Sequence, residues 1–397
     1  MSRVKANIKP EILTWARETA GLSVDEAAKK IGVKKPDRLA QWEKGEDKPT
    51  INQLRNLAKA YKRPLSVFYL QDVPQRFQVM KDFRRLPGMV ALQYSPELLL
   101  EIRNAQERRQ LAFELFEETG EKPTEFSLYA TLDDDPEKIG PKIRKALNIS
   151  YAEQTRWRDE RAGFNAWRAN IESLGALVFQ ATRVDMEEMR GFSIAEPLIP
   201  VIAVNRKDAL TGRTFSLLHE FAHLMLRSSG LCDLDEEAQR APEEQRVEVF
   251  CNQIAAATLM PKERFLTEDI VLAQDSSVFD WSDDDLSEMS KRYSVSREAV
   301  LRRLLTFGKT TDSFYRKKRA QFLKEYKSRR ERERENLKNQ DFRRNPSNEA
   351  ISAYGKAFIR LVFNTYYQDR ITLSDVSGYL GVRVRHIPTI EQAISAR

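Results

Sequence analysis

Cysteine, histidine and long apolar runs are all scarce in this sequence. Its 397 residues include two cysteines, Cys232 and Cys251, without Cys-x-x-Cys spacing, which argues against a disulfide framework or a thiolate zinc site and leaves two ordinary thiols. No run reaches the roughly 18 to 20 apolar residues that a membrane helix requires. The opening Met1-Ser2-Arg3-Val4-Lys5 lacks the apolar stretch of a secretion signal. The expectation is a cytoplasmic protein with no membrane partner. Histidine occurs three times, as His219, His223 and His386, so two imidazoles close together carry information.

What is present describes a globular chain of two or three domains, with 41% hydrophobic and 31% charged residues. The formal charge of +7 is concentrated at one end: residues 1 to 70 hold 15 Lys and Arg against 8 Asp and Glu. A small basic domain on a balanced body points to nucleic acid or an acidic protein as its partner, although a solvated surface carries the same bias.

That basic segment reads as short amphipathic helices. Pro10 to Ala20 is the first. Ser23 caps a second that runs through Lys30 and ends at Gly32. A third runs from Pro36 to Gly45, a Thr50 cap opens a fourth carrying Leu54, Leu57, Ala58 and Tyr61, and a last short one follows Pro64. Arg17, Gly21-Leu22-Ser23, Ala27-Ala28, Gly32-Val33, Trp42-Glu43-Lys44-Gly45, Pro49, Leu54 and Leu57-Ala58 together resemble the phage-repressor (Xre, Cro/CI-type) helix-turn-helix family. The resemblance implies a five-helix domain whose third helix enters the major groove of DNA, with Lys34, Lys35, Arg38 and Gln41 as candidate contacts. The sequence departs from the family at Val24, where glutamine is common, and Asp37, Glu46 and Asp47 place acid near the expected phosphates. A helical domain kept for protein contact or dimerisation is the alternative.

Residues 71 to 94 read as a connector. Ser95-Pro96 caps a long charged helix to about Glu118, and helical patterns follow at Pro136 to Leu147 and Tyr151 to Ile171, with Trp157 and Trp167 expected in the core. The period then changes. Leu177-Val178-Phe179, Phe192-Ser193-Ile194 and Val201 to Asn205 read as short strands. The strand ending at Asn205, or its neighbour, is a candidate edge for holding an extended substrate, against the plainer reading of a sheet that only covers a helix.

Next comes Leu218-His219-Glu220-Phe221-Ala222-His223. On a helix, here expected from about Thr211 to Arg227, positions i and i+4 share a face, so His219 and His223 can bind one metal ion while Glu220 serves as general base. A metzincin would place glycine at 226 and its third ligand at 229, but Leu226 and Ser229 stand there. His386 lies far along the chain and reads as an ordinary surface or partly buried histidine. Glu248, 25 positions after His223 at the start of a helical run, is the better third ligand; Glu236, Glu237, Glu243 and Glu244 are alternatives by charge. Two His and one Glu leave a fourth zinc position for water. With Asn252, Ala255-Ala256 and Leu259-Met260-Pro261, this series is similar to the ImmA/IrrE metallopeptidases, whose members cleave repressors to switch on prophage, mobile-element or stress genes. Zinc, or another divalent ion, is the implied cofactor. Tyr293, Arg246 and Arg297 are the sort of groups that could stabilise an oxyanion, with nothing to select among them.

Asp283 to Tyr293 and Ser296 to Leu305 resemble the small helical unit that follows the metal helices in longer relatives. Arg316 to Arg344 reads as one mixed-charge helix, either solvated or a nucleic-acid stripe. The tail, Ala353 to Phe358 and Leu373 to Val382, reads as two short helices, with no sign of the larger sensory domain of some radiation-response relatives. The expected class is α+β, mostly α. Its parts are a helix-turn-helix over 1–70, a helical connector over 71–172, a zincin-like peptidase domain over 173–310 and a charged helix with a helical unit over 311–397. Two functions follow. One is a zinc endopeptidase that cleaves a repressor-like protein. The other is a helix-turn-helix regulator or antitoxin using the peptidase scaffold to bind a partner such as a toxin, with a homodimer as one arrangement.

Overall fold

The computed structural model describes residues 5–33, 36–74, 94–228, 230–232, 242–274, 279–338 and 345–395. The chain divides into two units, one of residues 1–81, 86–108 and 183–189, the other of residues 82–85, 109–182 and 190–397.

The first unit opens with α1 (Pro10–Glu18), α2 (Val24–Lys30), α3 (Pro36–Glu43) and α4 (Ile51–Ala60), then a 3-10 turn at Leu65–Tyr69. Local chemistry sets their limits. At α2 the Glu26 N–H donates to the Ser23 hydroxyl at 3.2 Å and the Ser23 N–H to the Glu26 carboxylate at 2.9 Å, a reciprocal cap repeated by Thr50 and Gln53 at α4. Leu13, Ala16, Leu39, Trp42, Leu54 and Leu57 form the core these helices enclose. Arg17 ties α1 to α3 through two bonds to Glu43, at 2.8 and 3.0 Å. Gly21 has φ 64°, and a Cβ there would stand 2.5 Å from the Tyr94 carbonyl oxygen, so no other residue fits. Helix α5 (Pro96–Thr119) begins in this unit behind the Ser95 cap. Its buried Arg103 donates to the carbonyls of Thr19 and Lys62, at the C-terminal ends of α1 and α4, where helix dipoles favour a cation.

The second unit contains α6 (Pro136–Ala146), α7 (Tyr151–Gln154) and α8 (Glu160–Ser173). The pattern over Tyr151 to Ile171 is therefore two helices, not one. Asp159 makes the break, its side chain accepting the Ala162 N–H at 2.8 Å to start α8 afresh. Strands β1 (Leu177–Ala181), β2 (Gly191–Ile194), β3 (Val201–Asn205) and β4 (Gly230–Cys232) form one sheet in the order β1-β3-β2-β4. β3 runs parallel to β1 and antiparallel to β2, which pairs antiparallel with β4. This corrects part of the expected substrate edge: both sides of the strand ending at Asn205 are already paired, as are those of its neighbour β2, while its other neighbour, β1, is an outer strand among the described residues. β1 and β3 are buried at every position, as their unbroken apolar runs require.

Helix α9 (Leu210–Met225) packs on β2, β3 and α8, and α10 (Pro242–Leu259) packs on α9 and α6. The close approach of α6 and α10 depends on Gly140, where a Cβ would stand 2.6 Å from the Ala257 backbone. Helices α11 (Lys262–Leu266), α12 (Asp269–Ala273), α13 (Asp283–Tyr293), α14 (Arg297–Thr306) and α15 (Asp312–Lys338) follow, then α16 (Pro346–Tyr367), α17 (Leu373–Tyr379) and α18 (Ile387–Ser395). The tail differs from its sequence reading because Gly355 kinks α16 rather than ending it, and the buried Phe358, Ile359, Val362 and Phe363 carry the helix onward. α16 lies against β1: Gln180 donates to the Ser352 carbonyl at 2.9 Å, and Arg206 pairs with Glu349 at 2.5 and 2.9 Å. The fold is α+β and mostly helical. Among the described residues no helix is long and apolar enough to cross a membrane.

Candidate metal centre

Helix α9 starts where Asp208 accepts the Ala209 N–H at 2.8 Å, and Gly212 leaves room for that carboxylate: a Cβ there would meet it at 2.5 Å. From Leu217 to Met225 every residue of α9 is buried, so the helix is enclosed on all sides rather than on one face alone. His219 and His223, one turn apart, stand with their Nε2 atoms 3.2 Å from each other. Glu248 comes in from α10, with carboxylate oxygens 3.4 Å from His219 Nε2 and 3.3 Å from His223 Nε2. These ligand-type atoms lie within 4.8 Å of one another, and all three residues are buried.

Burial works against charge on Glu248, but the two imidazoles prevail and hold its carboxyl well below the ordinary carboxylate range. Two imidazole nitrogens and a carboxylate, converging in a buried position, suit a divalent cation. His219 is further held through Nδ1, which lies 2.8 Å from Oδ1 of Asn252. Cys251, fully buried, has its thiol pushed up by burial and by the Glu248 and Glu220 carboxylates, so it stays protonated.

Glu220 is buried beside this group, and its position depends on a residue that sequence reasoning missed. A Cβ on Gly191, the first residue of β2, would stand 2.7 Å from Glu220 Oε1 and 3.0 Å from its Cγ. The carboxylate therefore occupies the volume of the missing side chain. A glycine inside a strand is the available signal, since it marks the close approach of another group. Just before it, Arg190 pairs with Asp208 at 3.1 Å and its carbonyl accepts the Asn205 N–H at 2.8 Å, tying the start of β2 to the start of α9.

The other candidates are dispersed. His386 is half-buried and accepts from Arg385 at 3.3 Å. Glu243 is exposed and Glu244 half-buried, both outside the buried group, while Glu236 and Glu237 lie outside the described residues. The three oxyanion candidates have other partners. The Tyr293 hydroxyl donates to Glu268 at 2.8 Å, Arg297 pairs with Glu325 at 2.5 Å, and the exposed Arg246 lies 3.8 Å from Asp133. On α3, Arg38 and Gln41 are exposed, with the Arg38 guanidinium 5.7 Å from the centre of the Trp42 ring. Lys34 and Lys35 lie outside the described residues. Asp47, one of the acids expected near the phosphates, is bonded by Lys5 at 2.5 Å and by the Lys48 N–H at 2.8 Å, which together hold it down at about 2.

The model of the IrrE N-terminal-like domain, peptidase family M78, matches residues 172–305, a span that contains the sheet, α9, α10 and all of the residues of the metal centre. A helix-turn-helix family model matches residues 13–68, from α1 to the 3-10 turn. No curated protein matches the chain.

Proposed function

Starting from a chain of the ImmA/IrrE kind, an IrrE N-terminal-like domain fused to a helix-turn-helix, we propose that it is a metal-dependent endopeptidase acting on a repressor-like regulatory protein. The observation that carries this reading is the convergence of His219, His223 and Glu248 with Glu220 beside them, all enclosed. His219, His223 and Glu248 would hold the ion, with zinc the best match to two imidazoles and one carboxylate. A bound ion of this kind polarises a scissile carbonyl and lowers the pKa of water. Glu220 takes the proton of the attacking water and passes it to the departing amine. Packing against Gly191 holds the carboxylate in place for both transfers, and the enclosed site strengthens each charge interaction.

The helix-turn-helix part is assigned to DNA, with α3 in the major groove and Lys34, Lys35, Arg38 and Gln41 as its contacts. The pairing of Asp47 with Lys5 supports this, because it reduces the repulsion that an isolated acid would exert on phosphate.

Elemental analysis of the dialysed full chain and of Glu248→Ala tests the metal reading. About one zinc per chain, lost in the variant, supports the site. A Glu220→Gln chain that retains metal but no longer cleaves supports the general base. A freshly purified wild type without metal would instead favour the regulator or antitoxin reading, in which this scaffold is a binding surface for a partner such as a toxin.

A further inference from the structure

His219 is held at both ring nitrogens. Its Nε2 faces His223 and Glu248, and its Nδ1 lies 2.8 Å from Oδ1 of Asn252. We propose that Asn252 is a positioning residue for the metal centre: its carbonyl oxygen accepts the Nδ1 proton and fixes His219 as the tautomer whose Nε2 lone pair points at the shared ligand position. The proposal rests on the reading of His219, His223 and Glu248 as metal ligands.

A neutral imidazole has one N–H and one lone pair, so the two nitrogens cannot be assigned independently. With the proton on Nε2, that nitrogen has no lone pair to share with a cation, and the Nδ1 lone pair faces the oxygen of Asn252. With the proton on Nδ1, the amide oxygen receives a donor and Nε2 is free to ligate. Only the second assignment satisfies both sides of the ring. The arrangement is economical in sequence, because Glu248 and Asn252 are one turn apart on α10 and α10 packs along α9. One helix therefore supplies a ligand and orients another. Asn252 also does this without charge, in a site that already encloses the Glu220 and Glu248 carboxylates. Groups that orient a ligating histidine in this way typically govern metal affinity without touching the metal.

The test compares zinc affinity of the full chain, Asn252→Asp and Asn252→Leu by competition with a chromophoric chelator, using zinc alone as probe. Asn252→Leu keeps the size of the side chain but removes the acceptor, and should bind zinc about 10- to 100-fold more weakly. Asn252→Asp restores an acceptor at the same place and should stay close to wild type or bind more tightly. Melting of each metal-free protein checks that the variants fold; if Asn252→Leu does not, Asn252→Ala replaces it. Unchanged affinity in the variant without an acceptor overturns the proposal. So does an Asn252→Asp protein that folds yet binds as weakly as Asn252→Leu. A wild type that takes up no zinc sinks the ligand reading itself, a failure distinct from either variant result.

Discussion

At Gly191 a missing side chain decides where Glu220 stands. Gly191→Ala would drive a methyl group into space now held by the Glu220 carboxylate, at 2.7 Å from Oε1. Metal content should stay at the wild-type value, while cleavage of the protein substrate should fall by about 100-fold, the usual scale for a displacement of about 1 Å at a reacting group. Steady-state kinetics on metal-loaded protein check this, and equal rates would rule out the positional argument. A second residue-scale effect concerns acid. Asp47 is held at about 2, below the ordinary value of 3.8, by Lys5 and by the Lys48 N–H. Because the folded value is lowered, its contribution to stability is fully present above the unfolded pKa and is lost as pH falls from about 4 to about 2. Asp47→Asn should flatten that part of the acid-unfolding curve, followed by far-ultraviolet circular dichroism, and leave the curve above pH 5 unchanged. The histidine pair and Glu220 were legible in the sequence because a four-residue interval defines a helix face. Gly191 and the orienting contact of Asn252 were not: one acts through volume it does not fill, and the other depends on how two separate helices pack.

Among the elements, α16 is constrained at its kink. Gly355 has φ 80° and ψ 159°, and a Cβ there would meet Glu172 Oε1 and Arg168 Nη2. Those two side chains form a buried ion pair on α8 at 3.0 Å, and Arg168 also donates to the Ser352 and Val178 carbonyls while Glu172 accepts the Ala357 N–H. Gly355→Ala should lower the unfolding free energy by about 3 kcal/mol through backbone strain. Arg168→Met, which leaves Glu172 buried without its cation, should cost about 3 to 5 kcal/mol. Urea denaturation measures both, and a loss below about 1 kcal/mol would show that the ion pair rearranges freely. The same region shows what local pattern can and cannot reveal. Ser23, Thr50 and Ser95 announce helix starts because capping uses neighbouring residues. The Gly355 kink follows from residues on α8, far away in sequence, and the interior place of β3 follows from pairing with β1 and β2. β4 is three residues long, too short to show any alternation.

For the whole molecule, the proposed DNA contacts and the proposed metal ligands are different residues and can be tested apart. Arg38→Ala should weaken duplex DNA binding by about 1 to 3 kcal/mol if it contacts a base, while Glu248→Ala should leave that affinity unchanged and remove the metal. Fluorescence anisotropy at several salt concentrations checks both, and a metal-site variant that loses DNA affinity would deny that the two activities are separable. Helix α16 is also expected to affect solution behaviour. It lies against β1, an outer strand of the sheet among the described residues, where the Gln180 side chain donates to the Ser352 carbonyl, and its Glu349 pairs with Arg206 just after β3. An uncovered outer strand is a template on which further chains polymerise. A protein truncated before Pro346 should accordingly lose solubility and scatter light on standing, with an infrared signature of intermolecular strands. That outcome would make the C-terminal helices a safeguard against aggregation, their cost in chain length repaid in the lifetime of the folded protein.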